Sequence, residues 1–91
     1  MRKFVIEREI PKVGSMSPSQ LCDAAKTSNA ALAKIGPDIQ WIQSYVTAEK
    51  TFCIYLAKDQ SVIKRHAELS GFPANKITEV TGIIDPTTAA N

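Results

Sequence analysis

Gln60–Val80, QSVIKRHAELSGFPANKITEV, reads as a short helix, a Gly/Pro stop and the entry into a final strand. Drawn at about 100° per residue, Val62, Ile63, Ala67 and Leu69 form one apolar arc, and His66 lies near its middle. The chain's only histidine is therefore expected to face the interior. Asp59 supplies a helix N-cap, Gly71 and Pro73 end the helix, and Ile77–Ile84 is the expected last strand.

Upstream, Ile39–Val46 and Thr51–Ala57 are rich in β-branched and aromatic residues and are separated by Thr47-Ala48-Glu49-Lys50, which predicts a hairpin. With Ala48-Glu49 at the turn centre, Val46 opposes Thr51. Trp41, Gln43, Tyr45, Phe52, Ile54 and Leu56 then share one face, and Ile42, Ser44, Val46, Cys53 and Tyr55 the other. A further helix is announced by Met16-Ser17-Pro18-Ser19-Gln20-Leu21. Ser17 is its N-cap, Pro18 its first residue, and Gln20 completes a capping box, with Met16 and Leu21 as a hydrophobic staple. It runs through Leu21, Ala24, Ala25, Ser28, Ala31, Leu32 and Ile35 to the stop at Gly36-Pro37. Before it, Lys3–Ile10 is a first strand, with Phe4, Ile6 and Ile10 at one parity and Val5, Glu7 and Glu9 at the other, ended by Pro11 and Gly14.

The resulting order, β-α-β-β-α-β, is the split-βαβ pattern of ferredoxin-like α+β proteins: a four-stranded antiparallel sheet with two helices on one face. Residues 1–85 are expected to form that single domain, and residues 86–91 a C-terminal tail or an extension that packs on a neighbour. The sheet's other face carries apolar side chains as well and needs cover. A homodimer in which two open sheet faces meet, a dimeric α+β barrel, is the expected solution.

Composition narrows the function classes. A chain of 91 residues supports one modest core, and no apolar run reaches the roughly 18 residues of a membrane helix. The N-terminal apolar run is broken at Glu7, too early for a signal peptide, so a cytoplasmic protein with no membrane partner is expected. Eleven Lys/Arg against nine Asp/Glu, dispersed along the chain, argue against nucleic acid. The Lys50–Tyr55 strand also lacks the glycines and aromatic density of an RNA-recognition module. Cys22 and Cys53 form no C-x-x-C pair and read as two buried, reduced thiols. Gly-rich phosphate loops, H-E-x-x-H and G-x-S-x-G are absent from the sequence.

Three features remain that carry chemistry. A neutral His66 imidazole is either a metal ligand or proton carrier, or a core histidine bonded to the backbone. Glu7 and Glu79 sit between apolar strand neighbours, on first and last strands that adjoin in this fold, and are either paired or solvated at the sheet edge. Tyr45 and Tyr55 lie on opposite faces in the hairpin register, so at most one shares a pocket with His66, and Tyr45 is the expected one; aromatic core packing is the other role open to either. His66, Glu7, Tyr45 and Glu79 together make a nitrogen and oxygen donor set suited to nickel, zinc or copper. No organic cofactor is indicated. The alternative is a dimeric-barrel enzyme or small-molecule carrier, with a pocket between helices and sheet that contains His66.

Phe4-Val5-Ile6-Glu7-Arg8-Glu9-Ile10-Pro11, Gly36-Pro37-Asp38-Ile39-Gln40-Trp41-Ile42-Gln43-Ser44-Tyr45-Val46, and Arg65-His66-Ala67 leading to Gly71-Phe72-Pro73-Ala74 carry a resemblance over nearly the whole chain. It is to a widespread bacterial domain-of-unknown-function family of small ferredoxin-like proteins often named nickel-binding proteins. The resemblance implies a dimeric ferredoxin-like fold, nickel as a ligand, and no established reaction. Glu7, Tyr45 and His66 match the family's polar positions; Glu79 rests on the strand pattern instead.

Overall fold

The computed structural model describes residues 1–90, so Asn91, the last residue of the expected tail, lies outside the described residues. Its elements are β1 (Arg2–Glu9), α1 (Pro18–Ile35), β2 (Ile39–Val46), β3 (Lys50–Ala57), α2 (Gln60–Ser70) and β4 (Lys76–Val80), with short 3-10 turns at Val13–Ser15 and Pro86–Ala90. The strands form one antiparallel sheet in the order β2-β3-β1-β4, and the two helices pack on each other and on the sheet. This is the ferredoxin-like α+β architecture expected from the element order.

Strand parity decides which side chains the helices cover. Along β1 the buried residues are Phe4, Ile6 and Arg8, and along β3 they are Thr51, Cys53, Tyr55 and Ala57. Of these, Phe4, Ile6, Cys53, Tyr55 and Ala57 meet Ile39 from β2 and Ile63 from α2 in one core. Phe4, Ile6 and Ile63 are almost wholly buried, each worth about 1.5–3 kcal/mol relative to exposure. The opposite parity, Val5, Glu7, Phe52, Ile54 and Leu56, lines the open face and remains part-exposed.

The hairpin register begins as expected, with Val46 opposite Thr51, Tyr45 opposite Phe52 and Gln43 opposite Ile54. A β-bulge between Trp41 and Gln43 then shifts the pairing, so that Trp41 opposes Tyr55. One extra residue reverses the parity of everything beyond it. Trp41 therefore lies with Tyr55 under the helices, not with Gln43 and Tyr45 as the unbroken register implied. Its ring stacks 6.4 Å from that of Tyr55.

The capping box forms in full: Ser17 Oγ accepts from the Gln20 amide at 3.1 Å, and the Ser17 amide donates to Gln20 Oε1 at 2.9 Å. At its far end α1 stops at Gly36, whose φ of 91° and ψ of −146° are open to glycine alone. The last strand is shorter than the expected Ile77–Ile84. Val80 pairs with Lys3, and β1 begins at Arg2, so the chain beyond runs out of partner backbone. Ile83 and Ile84 are left 75% and 84% exposed. Among the described residues no helix is long and apolar enough to cross a membrane.

Candidate functional site

The polar centre of the interior is built from four elements. β1 points Arg8 inward because Arg8 shares the parity of Phe4 and Ile6; it is 2% exposed. β3 contributes Tyr55, α1 contributes Ser28 and α2 contributes His66, all buried. Their contacts are close. Ser28 Oγ lies 3.1 Å from His66 Nε2, the Tyr55 and His66 rings are 5.2 Å apart between centroids, and Arg8 Cζ stands 5.9 Å from the Tyr55 ring centroid.

Arg8 is anchored by the chain just beyond α2, where Nη1 donates to the carbonyl oxygens of Pro73 at 2.9 Å and Phe72 at 3.5 Å. Those carbonyls follow the C-terminus of α2, the end of a helix that favours positive charge. They are neutral acceptors nonetheless. Among the described residues no carboxylate makes an ion pair with Arg8, and its Nη2, like His66 Nδ1, is buried without a hydrogen-bond partner. A buried polar atom left unpaired costs about 1–3 kcal/mol, more for a charged group.

Electrostatics follow from this burial. Desolvation, with Arg8 as the second cause, lowers the His66 pKa to about 4, so the imidazole is neutral at physiological pH. Burial raises the Tyr55 pKa against the opposing influence of Ser28 and Arg8, which keeps the phenol protonated. The cluster thus holds one fixed positive charge among hydroxyls and a neutral ring.

Beside it lies a cavity of about 250 Å³ between α1 and the sheet. Its walls are almost entirely apolar, including Ile10, Val13, Leu21, Ala24 and Val46, and Arg8, Ser28, Trp41 and Tyr55 also line it. His66 is not among the residues that line it, although Ser28 and Tyr55, which touch the imidazole, are, so the cavity does not contain the ring as the carrier reading required.

The four residues expected to share a metal site are dispersed. His66 is buried on the helix side of the sheet, as its place in the apolar arc implied. Glu7 faces the open side, within 3.8 Å of Lys50 Nζ and 3.9 Å of Lys76 Nζ. Glu79 pairs with Phe4 across the ladder and so takes the helix-side parity at the sheet edge, where it meets Arg2 at 3.9 Å. The two carboxylates belong to neighbouring strands but to opposite faces. Tyr45 is 57% exposed on the open face, and its hydroxyl accepts from Gln43 Nε2 at 2.7 Å. The phenol beside His66 is Tyr55, because the helix-side parity of β3 belongs to Thr51, Cys53, Tyr55 and Ala57.

Around His66 the side chains do not suit a dication. A guanidinium stands in the cluster, Ser28 occupies Nε2, and no carboxylate is present; among the described residues no three His, Cys, Asp or Glu side chains are grouped to hold a metal ion. Cys53 is buried, but Cys22 is exposed on α1 rather than buried as expected, and both are unpaired.

Fold and site together define a small α+β protein with a polar cluster and an apolar cavity between its layers. Residues 4–80 match the sequence family described as nickel responsive protein SCO4226-like, and the chain belongs to that family. The crystal structure of SCO4226 from Streptomyces coelicolor A3(2) is similar, with a TM-score of 0.75 at 16% identity over 90% of this chain and 99% of that chain. At that identity the likeness establishes the shared fold. No curated protein matches the chain.

Arg8 and Ser28 are the site residues that no sequence motif marks. Ser28 was visible only as a member of the buried face of α1. Arg8 carried a plain signal, since it stands between Ile6 and Ile10 at the inward parity of the first strand.

Proposed function

We propose that this protein is a cytoplasmic binding protein whose seat is the cavity between α1 and the sheet, taking a small molecule with a largely apolar body. The observation that carries this reading is the conjunction of an apolar cavity with a buried, incompletely paired Arg8 on its wall. Ligand seats in small proteins combine these same ingredients, apolar walls with few polar groups at one place. The unpaired Cys22 and Cys53 accord with a reducing compartment.

Trp41 is the chain's one tryptophan and lines the cavity, so its emission reports occupancy directly. A series of linear alcohols should shift that emission saturably, with affinity rising roughly fourfold per methylene until the space is filled. Ala24→Leu, which places a larger side chain in the cavity wall, should abolish the response. Absence of any saturable response in the native protein would remove the cavity as a seat.

Family membership favours a second reading, binding of nickel or another divalent metal. Of the expected donors, Glu7 and Tyr45 share the open face, each opposite Phe52 in its ladder, where the sheet of a second copy would meet them. The homodimer through this face is proposed on the same ground: Val5, Phe52, Ile54 and Leu56 form an apolar strip on it.

A further inference from the structure

We propose that the cavity's ligand is a small monocarboxylate, an aliphatic or aryl acid whose carboxylate meets the guanidinium of Arg8 while its body fills the apolar space under α1. This rests on the reading of the cavity as a binding seat and adds the chemical class of what it takes. The sign of the ligand follows from Arg8. A guanidinium that is 2% exposed, held by two neutral carbonyls and left with an unpaired Nη2, carries a desolvation cost that dipoles offset only in part. A carboxylate supplies the missing opposite charge, and its planar pair of oxygens matches the guanidinium fork.

The remaining polar groups agree with one negative charge and no more. Ser28 and Tyr55 also line the cavity; the Tyr55 hydroxyl can donate to a carboxylate oxygen, and the Ser28 hydroxyl can do so in the tautomer in which His66 Nε2–H donates to Ser28 Oγ. His66 stands behind them, neutral with a pKa of about 4, and adds no second positive charge. A dianion such as a phosphate monoester would leave one charge uncompensated in an apolar space. Size follows from volume. A cavity of about 150 Å³ admits benzene, so 250 Å³ accommodates on the order of ten non-hydrogen atoms.

Octanoate and octanamide have matching size and shape and differ in charge, which makes them the deciding pair. Titrated against the untagged full chain, followed by Trp41 emission and calorimetry, octanoate should bind at least about tenfold more tightly than octanamide. Arg8→Met keeps an apolar stem in place of the cation, and in it that preference should vanish while octanamide binding is retained. Equal binding of the two compounds by the native protein would overturn the carboxylate assignment and leave the cavity as a seat for neutral molecules. A preference that survives in Arg8→Met would overturn the role of Arg8. Binding of neither compound would overturn both this assignment and the cavity reading. The comparison within the native protein decides the charge question even where Arg8→Met fails to fold.

Discussion

At the scale of single residues, Arg8 and His66 show how one buried charge sets the chemistry around it. His66 is nearly solvent-free, faced by Arg8 from β1, Tyr55 from β3 and Ser28 from α1, and its pKa falls to about 4. The unfolded chain protonates the same ring near pH 6.5. Above that pH both states are neutral and the ring contributes no pH dependence. As the pH falls from about 6.5 to 4 the unfolded state gains a proton that the folded state refuses, so stability declines by roughly 3 kcal/mol in total and no further below. Urea unfolding of native protein and His66→Gln across this range should show the excess loss in the native chain alone. A profile identical in the two proteins would mean that the ring takes up its proton in the folded state without penalty. At this scale the sequence revealed that His66 turns inward, because helical periodicity is local. That Tyr55 rather than Tyr45 meets it was not legible, since two faces of a strand differ only in what the rest of the chain places over them.

At the scale of elements, most boundaries followed from caps and stops. α1 begins where Ser17, Pro18 and Gln20 indicated, and it ends at Gly36, because each of these residues acts on backbone groups within one turn. Ser17→Ala removes the acceptor for the Gln20 amide, so it should cost about 1 kcal/mol and lower the Tm by roughly 4–8 °C for a domain of this size. An unchanged Tm in calorimetry would mean that packing alone holds the helix start. Two features escaped local reasoning. The bulge that moves Trp41 beneath the helices has no turn residue to mark it; the IQWIQSYV stretch contains neither glycine nor proline. The early end of β4 is set by the length of its neighbour β1, nearly eighty residues away along the chain.

At the scale of the whole molecule, the open sheet face and the exposed Ile83 and Ile84 are the surfaces with most to gain from a partner. If two open faces meet, Phe52 lies near the middle of the contact, between Glu7 on one neighbouring strand and Tyr45 on the other. Sedimentation at micromolar concentration should show a dimer for the native protein and a monomer for Phe52→Glu, which buries a charge in that contact. Calorimetric titration of both with Ni²⁺ extends the test: metal binding through Glu7 and Tyr45 across the dimer should be lost together with it. A native monomer, or Ni²⁺ affinity unchanged in Phe52→Glu, would separate metal binding from the sheet face. His66→Ala should leave Ni²⁺ affinity unaltered if the guanidinium-bearing cluster is closed to cations, as its side chains indicate.

The sequence alone determined the order of elements, the two helix starts and stops, the antiparallel ferredoxin-like arrangement and the inward turn of His66. Each rests on periodicity or on a capping residue, interactions that reach only a few positions along the chain. The tertiary structure alone decided that Glu7 and Glu79 face opposite ways and that Trp41 crosses to the helix side. It alone brought Arg8, Ser28, Tyr55 and His66 together from four elements beside a cavity. Strand pairing and layer packing bring together residues distant along the chain, and a one-residue change of register reverses which face a side chain occupies.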